Sequence, residues 1–252
     1  MNLYTVGCSF TFAQMRGWPK MLADKLEQRG LKVNLINQGH PGAGNRYISH
    51  KIILDSHVRG FEPDLAVIMW SGLTRKELTV DHTDDVLMSA FSGYKDYVRW
   101  AGVNTSYLLS GGFCGSWMWD RIAKETFDNL YKISNNRTMA QDTLIYIINL
   151  QNYLKQNNIP YIMSSYMNYW TDEDLVGEQD FGIRKFKDLD YLYDQIDFNR
   201  WLFINSNKDG IYELAKTIEN GLQEDGFHPE FNVHELWAEM LLNKIDKDGI
   251  LK

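Results

Sequence analysis

Two short stretches at opposite ends of the chain hold the residues best suited to do chemistry together. Gly7-Cys8-Ser9-Phe10-Thr11 closes the first predicted strand, and Asp225-Gly226-Phe227-His228-Pro229 precedes the last predicted helix. A neutral serine hydroxyl is a poor nucleophile until a base removes its proton, and an imidazole oriented by a carboxylate is a base suited to acyl transfer. Ser9 therefore reads as a nucleophile, His228 as its base, and Asp225 as the group that holds the His228 tautomer. Each stretch alone has an ordinary explanation. A Gly-x-Ser is often a capped turn, and Asp-Gly followed by proline is often the approach to a helix. The pairing of the two carries the reading.

A third element, Gly39-His40-Pro41-Gly42-Ala43-Gly44-Asn45, follows the second predicted strand. Its glycines allow the backbone to approach a ligand and to aim an N–H at a developing negative charge. The N–H of Ser9, at the start of a helical turn, is one candidate donor, and an N–H of this glycine loop is another. A phosphate cradle is disfavoured: no Gly-Lys-Ser/Thr ending follows, and dinucleotide glycine spacing is absent from the first strand–helix turn. His40, Asn45 and Arg75 are candidate substrate contacts. For Arg75 the competing reading is a surface salt bridge, for His40 a polar loop residue, and for Asn45 a helix cap. The remaining histidines lack ligand spacing to cysteines or carboxylates, so neither a metal site nor a cofactor is expected. Cys8 reads as a small buried residue pointing away from Ser9.

The elements that must position these residues form an α/β pattern. Leu3–Val6 reads as a buried strand, and Trp18–Arg29 as a helix with Met21, Leu22 and Leu26 at helical spacing, stopped at Gly30. Lys32–Ile36 is a second strand and Arg46–Val58 a helix. Leu65–Trp70 is a continuous apolar run of the kind a parallel strand shows when both faces are covered. Thr138–Gln156 is an amphipathic helix, Pro160–Ser165 a strand, Met167–Phe198 loop-like, Trp201–Asn205 a last strand and Gly210–Asn220 a helix. Val233–Ile245 closes the chain as a helix, with Leu236, Trp237, Met240 and Leu241 predicted inside. Such alternation implies a three-layer α/β sandwich, a parallel sheet of about five strands between helices, with ligands at the carboxyl ends of the strands. Residues 76–137 interrupt the alternation. They show helical patches at Asp85–Trp100 and Trp119–Ile133 and read as an aromatic-rich insertion in a single domain spanning 1–252. Trp100, Tyr107, Phe113, Trp117 and Trp119 within it suit either a sugar-stacking surface or the core of a subdomain. Asp172, Glu173 and Asp174 read as a solvated run or a helix start.

Composition bounds the possibilities. A chain of 252 residues with 44% hydrophobic and 13% aromatic content can bury a core, which excludes a disordered protein. A net charge of −7 argues against nucleic acid or an anionic membrane as partner. Two cysteines, Cys8 and Cys114, cannot build a disulfide framework. With no charged leader before an apolar run and no apolar stretch of about 20 residues, a cytoplasmic protein is expected.

The order and spacing of these motifs resemble the SGNH/GDSL hydrolase family, named for its Ser, Gly, Asn and His. Gly7-Cys8-Ser9-Phe10-Thr11 resembles its first block and Asn37-Gln38-Gly39-His40-Pro41-Gly42 its second. Asp225-Gly226-Phe227-His228-Pro229 resembles its fifth. The resemblance covers about 1–75 and 138–245. It implies a flavodoxin-like sheet of five parallel strands, a Ser9–His228–Asp225 triad and an oxyanion-hole N–H at Gly42. It also implies a serine esterase that forms an acyl-enzyme, acting on a short acyl ester such as an acetyl group on a carbohydrate or another small molecule. One block departs from the family pattern. Where Gly-x-Asn is expected, this chain has Trp70-Ser71-Gly72-Leu73-Thr74-Arg75, so the missing donor is replaced by the Ser71 hydroxyl, by Thr74, or by none, leaving two donors. An acyltransferase on the same triad, or a carbohydrate-binding or structural protein with a relic triad, are the alternatives left open.

Overall fold

The structure is a computed structural model that describes residues 1–12, 16–81, 98–102, 105–109, 121–173 and 181–251. Its central sheet is built on the apolar run Leu65–Trp70 (β3), every residue of which is buried. β3 lies between Asn2–Val6 (β1) and Tyr161–Ser165 (β7), and β1 in turn pairs with Asn34–Asn37 (β2), giving the order β2-β1-β3-β7. All three pairings are parallel, with Leu3 opposite Leu35 and Leu65, and Ile68 opposite Met163. The expected fifth strand at Trp201–Asn205 is reduced to one parallel bridge between Met163 and Trp201. After Trp201 the chain leaves the sheet edge: the Leu202 N–H still donates to Met163 O, but Ile204 N–H turns to Asp209 O in its own loop.

Helices flank the sheet. α1 is the single turn Ser9–Phe12, α2 is Trp18–Gln28 and α3 is Asn45–Arg59. α4 (Arg121–Ile133) is followed by α5 (Asn136–Gln156), which starts with a reciprocal cap between Asn135 and Thr138. α6 is the turn Asp190–Tyr193, α7 is Ile211–Thr217 and α8 is Phe231–Lys247. α2 packs against α8, and α3 against α5. The inner stripe of α8 is Val233, His234, Trp237, Ala238, Leu241, Leu242 and Ile245, spaced at three and four residues. Leu236 falls outside that stripe and is exposed, contrary to the sequence expectation. No helix among the described residues is long and apolar enough to cross a membrane.

Within 76–137 the backbone forms a second sheet, antiparallel, in the order β4 (Glu77–Asp81), β6 (Thr105–Leu109), β5 (Val98–Gly102). Val98–Trp100, predicted at the end of a helix, instead pair with Leu108–Ser106 as a strand. Hydrogen bonds to β6 override the helical spacing there. The rest of that predicted helix, and Phe113, Trp117, Trp119 and Asp174, lie outside the described residues. Of the patch at Trp119–Ile133, residues Arg121–Ile133 appear as α4.

One buried polar cluster joins β1 to α3. Tyr4 Oη donates to Asp55 Oδ2 at 2.8 Å, and Lys51 Nζ to Asp55 Oδ1 at 2.5 Å. All three side chains are buried. Burial pushes the Lys51 pKa down, with Asp55 opposing it, and burial beside Asp55 pushes the Tyr4 hydroxyl well up. Removing one member of such a pair strands the other in a medium that cannot solvate it. Asp55→Ala is expected to cost about 3–5 kcal/mol of unfolding free energy, measured by urea denaturation, whereas Asp24→Ala on the exposed face of α2 costs under about 1 kcal/mol.

Candidate active site

The carboxyl ends of β1 and β2 hold two of the three motif segments. β1 ends at Val6, and α1 begins at once: the N–H groups of Thr11 and Phe12 both donate to Cys8 O at 3.0 Å. This tight turn sends the Cys8 side chain into the core and leaves Ser9 partly exposed at the first helical position. The Ser9 N–H falls among the opening N–H groups of a helical turn, which have no acceptor within the turn itself.

The glycine loop lies against α1. A Cβ on Gly39 would sit 2.7 Å from Phe12 N and from the Thr11 carbonyl carbon, so only glycine permits the approach. Asn37, at the end of β2, holds the junction together. Its Oδ1 accepts the Gly39 N–H at 2.9 Å and the Thr5 hydroxyl at 3.1 Å, while Nδ2 donates to Thr11 O at 3.0 Å. Asn37 thus fastens β1, α1 and the loop to one another, a role that no local spacing signalled. Gly42 takes φ +76°, in the left-handed region that glycine adopts without strain. The neighbouring Ala43 N–H closes the turn onto His40 O.

The third motif arrives in the loop before α8. Asp225 Oδ1 accepts the N–H groups of Phe227 and His228 at 2.8 and 2.9 Å, and Oδ2 meets His228 Nδ1 at 2.5 Å. His228 Nε2 lies 2.9 Å from Ser9 Oγ. Serine, histidine and aspartate therefore stand in a continuous hydrogen-bonded row. Burial would raise the Asp225 pKa. The bonds from the His228 ring and from the His228 and Phe227 N–H groups outweigh it and hold the carboxyl below its ordinary range. Asp225 is accordingly an anion at neutral pH and accepts from His228 Nδ1–H, leaving Nε2 to face Ser9 as an acceptor. The Phe10 ring packs 5.2 Å from the His228 ring and 5.2 Å edge-on to Phe227.

The other nominated residues lie elsewhere. Ser71 is fully buried; its N–H donates to Asn45 Oδ1 at 2.8 Å and its carbonyl accepts from Asn45 Nδ2 at 3.2 Å. Ser71 is thus sealed behind the strand ends and is withdrawn as an oxyanion donor. Asn45 is likewise withdrawn as a substrate contact and as a cap. It is buried, bonds also to Thr143, and leaves the cap position of α3 to Gly44. Arg75 does not lie at the surface, as the salt-bridge reading requires. Its guanidinium is buried and donates to Ala43 O at 3.3 Å. His40 is buried, with Nδ1 2.7 Å from Pro41 O and its ring 5.9 Å from that of Phe12, so it serves the loop's own fold. Among the described residues no group of three His, Cys, Asp or Glu side chains could hold a metal ion. A hollow of about 500 Å³ near Lys155, Tyr161 and Arg200 lies at the opposite, amino end of β7.

His234, in the first turn of α8, was not singled out by its sequence. Its Nδ1 accepts the Trp18 N–H at 3.4 Å, tying the start of α2 to the start of α8. Burial, reinforced by the charge of nearby His228, pushes its pKa down to about 4. An imidazole whose folded pKa lies below its unfolded value contributes stability that is full above about pH 6.5 and is lost as pH falls toward 4. Across that window the wild type should lose about 3 kcal/mol more unfolding free energy than His234→Gln, as read by denaturant titrations at pH 7 and pH 4. Parallel losses in the two proteins would contradict the assignment.

This geometry can be set beside known proteins. No curated protein matches the chain. Among solved structures, TesA aligns with TM-score 0.54 at 13% identity, covering all of both chains. The psychrotrophic esterase EstA from Pseudoalteromonas sp., in a structure inhibited by monoethylphosphonate, aligns with TM-score 0.51 at 15% identity. That alignment covers 98% of this chain and 97% of EstA. A catalytic mutant of Axe2, an acetylxylan esterase from Geobacillus stearothermophilus, aligns with TM-score 0.50 at 15% identity over 97% and 93% of the two chains. Identities this low speak to architecture, and the architecture is an SGNH/GDSL hydrolase-like fold. A family model described as a family of unknown function, DUF6071, matches residues 7–251. The chain therefore belongs to the DUF6071 family.

Proposed function

We propose that this protein is a serine ester hydrolase that works through an acyl-enzyme. The observation that carries the reading is the row Asp225–His228–Ser9, with 2.5 and 2.9 Å between successive polar atoms. In the first step Ser9 Oγ attacks the ester carbonyl carbon as its proton passes to His228 Nε2. The tetrahedral oxyanion is held by the N–H groups of Ser9 and Gly42. Collapse breaks the bond to the alkoxide, which leaves with the proton from His228. Water then repeats the sequence on the acyl-enzyme and releases the acid. Asp225 stays ionised throughout and stabilises the imidazolium.

Two supports narrow the reading. Asp225 and His228 side chains are 47% and 27% exposed, so water reaches the base, which favours hydrolysis over transfer to another hydroxyl. A short acyl group on a carbohydrate is the favoured substrate, because one structural neighbour is an acetylxylan esterase and another an esterase. The chain is read as one domain over 1–252, with 76–137 inserted between its core units.

Ser9→Ala should lower hydrolysis of p-nitrophenyl acetate by a factor on the order of 10⁴ or more and abolish labelling by a fluorophosphonate, with the circular dichroism spectrum unchanged. Asp225→Asn should cost about 10²–10⁴ in kcat, since it removes the charge and presents the wrong partner to Nδ1. Retention of wild-type activity in Ser9→Ala would sink the proposal.

A further inference from the structure

Glu77 opens β4 and is only 6% exposed, yet its carboxylate belongs to another element. Oε1 accepts the Tyr47 N–H at 3.3 Å, and the carboxylate also accepts the Gly44 N–H. A Cβ on Gly44 would lie 2.6 Å from Oε1, so the missing side chain is what lets the carboxylate reach the backbone. Two further bonds lace the same segments together. Arg75 Nη1 donates to Ala43 O at 3.3 Å, and Arg46 Nη1 reaches back to Glu77 O at 3.4 Å. Ala43 and Gly44 follow directly on Gly42, which takes a left-handed φ, and Tyr47 lies in the first turn of α3.

We propose that Glu77 is a positioning residue for the oxyanion loop: by accepting the Gly44 and Tyr47 N–H groups it fixes the turn that aims Gly42 N–H at the substrate carbonyl. The proposal rests on the serine-hydrolase reading above. With Ser71 sealed away and the family's asparagine absent, the hole has two backbone donors, and a backbone donor can be no better placed than the loop that carries it. Glu77 gives that loop an anchor outside itself, on the first strand of the inserted segment. An anion there also meets the positive end of α3. Arg46 faces it from α3, Asp142 and Tyr146 from α5, and Arg75 and Lys76 from the turn that precedes it. Burial raises its pKa to about 7, against the pull of the two N–H groups, Arg46 and Lys76.

The test is steady-state hydrolysis of p-nitrophenyl acetate with fluorophosphonate labelling, in the full chain, for wild type, Ser9→Ala, Glu77→Ala, Glu77→Gln and Glu77→Asp. An oxyanion donor acts in the transition state rather than in substrate binding. Glu77→Ala should therefore lower kcat about 10- to 100-fold with KM within about twofold. Glu77→Gln, whose amide oxygen still accepts both N–H groups, should recover kcat to within about threefold of wild type. If Glu77→Ala does not fold, Glu77→Asp carries the same test, because it withdraws the oxygens by one methylene and should lower kcat about 5- to 20-fold. A folded Ala or Asp variant with wild-type kcat, or a Gln variant no better than Ala, overturns the positioning role and leaves the triad standing. Wild type that neither labels nor hydrolyses the ester overturns the serine-hydrolase reading, and the role of Glu77 with it.

Discussion

The bond between Ser9 and His228 joins residues 219 positions apart, and everything else in the structure serves to make it possible. Closing a flexible loop of that length costs about 5 kcal/mol in chain entropy, whereas one such bond returns about 1 kcal/mol. The bond cannot assemble the site; the site must be assembled already. The parallel sheet does most of this, because every strand in it ends at the same edge. The rest falls to the contact between the second and last helices. There the Trp18 N–H donates to His234 Nδ1 at 3.4 Å, where the start of α8 meets the start of α2.

Local chemistry was legible in the sequence where it is local in the fold. Ser9 on its strand-to-helix turn, the glycine loop, and the Asp225–His228 pair each sit within a few residues, and the alternation of strands and helices set them at one edge of a sheet. Glu77, Asn37 and His234 were not legible, because their partners come from other elements: α3 for Glu77, β1 and α1 for Asn37, α2 for His234. Nothing in the spacing of a lone glutamate after a strand announces a distant helix terminus. Asn45 shows the opposite error. It fits a helix cap by residue type, but the tertiary bonds to Ser71 and Thr143 claim its amide, and Gly44 takes the cap instead. The fifth strand failed for a similar reason, since residues beyond Trp201 find hydrogen bonds within their own loop.

The segment after β3 departs most from the SGNH/GDSL pattern that the sequence motifs resemble. A side-chain amide donor is worth about 3–4 kcal/mol where one has been removed by mutation. Here the segment after β3 is turned inward. Ser71 bonds to Asn45, Arg75 to Ala43, and Glu77 to Gly44 and Tyr47. Arg75 and Glu77 are spent on holding the loop that carries Gly42 and the helix start that follows it.

Asp225 has two tasks, and they are performed by different oxygens. Oδ1 closes the turn that contains the base, and Oδ2 orients the imidazole. Base and orienter are therefore one rigid unit only four residues long. If the last helix shifts, the pair moves as a body, and a single separation, from Nε2 to Oγ, changes. The Asp225–His228 geometry is set within four residues, and only the distance from Nε2 to Oγ depends on where the fold places that loop.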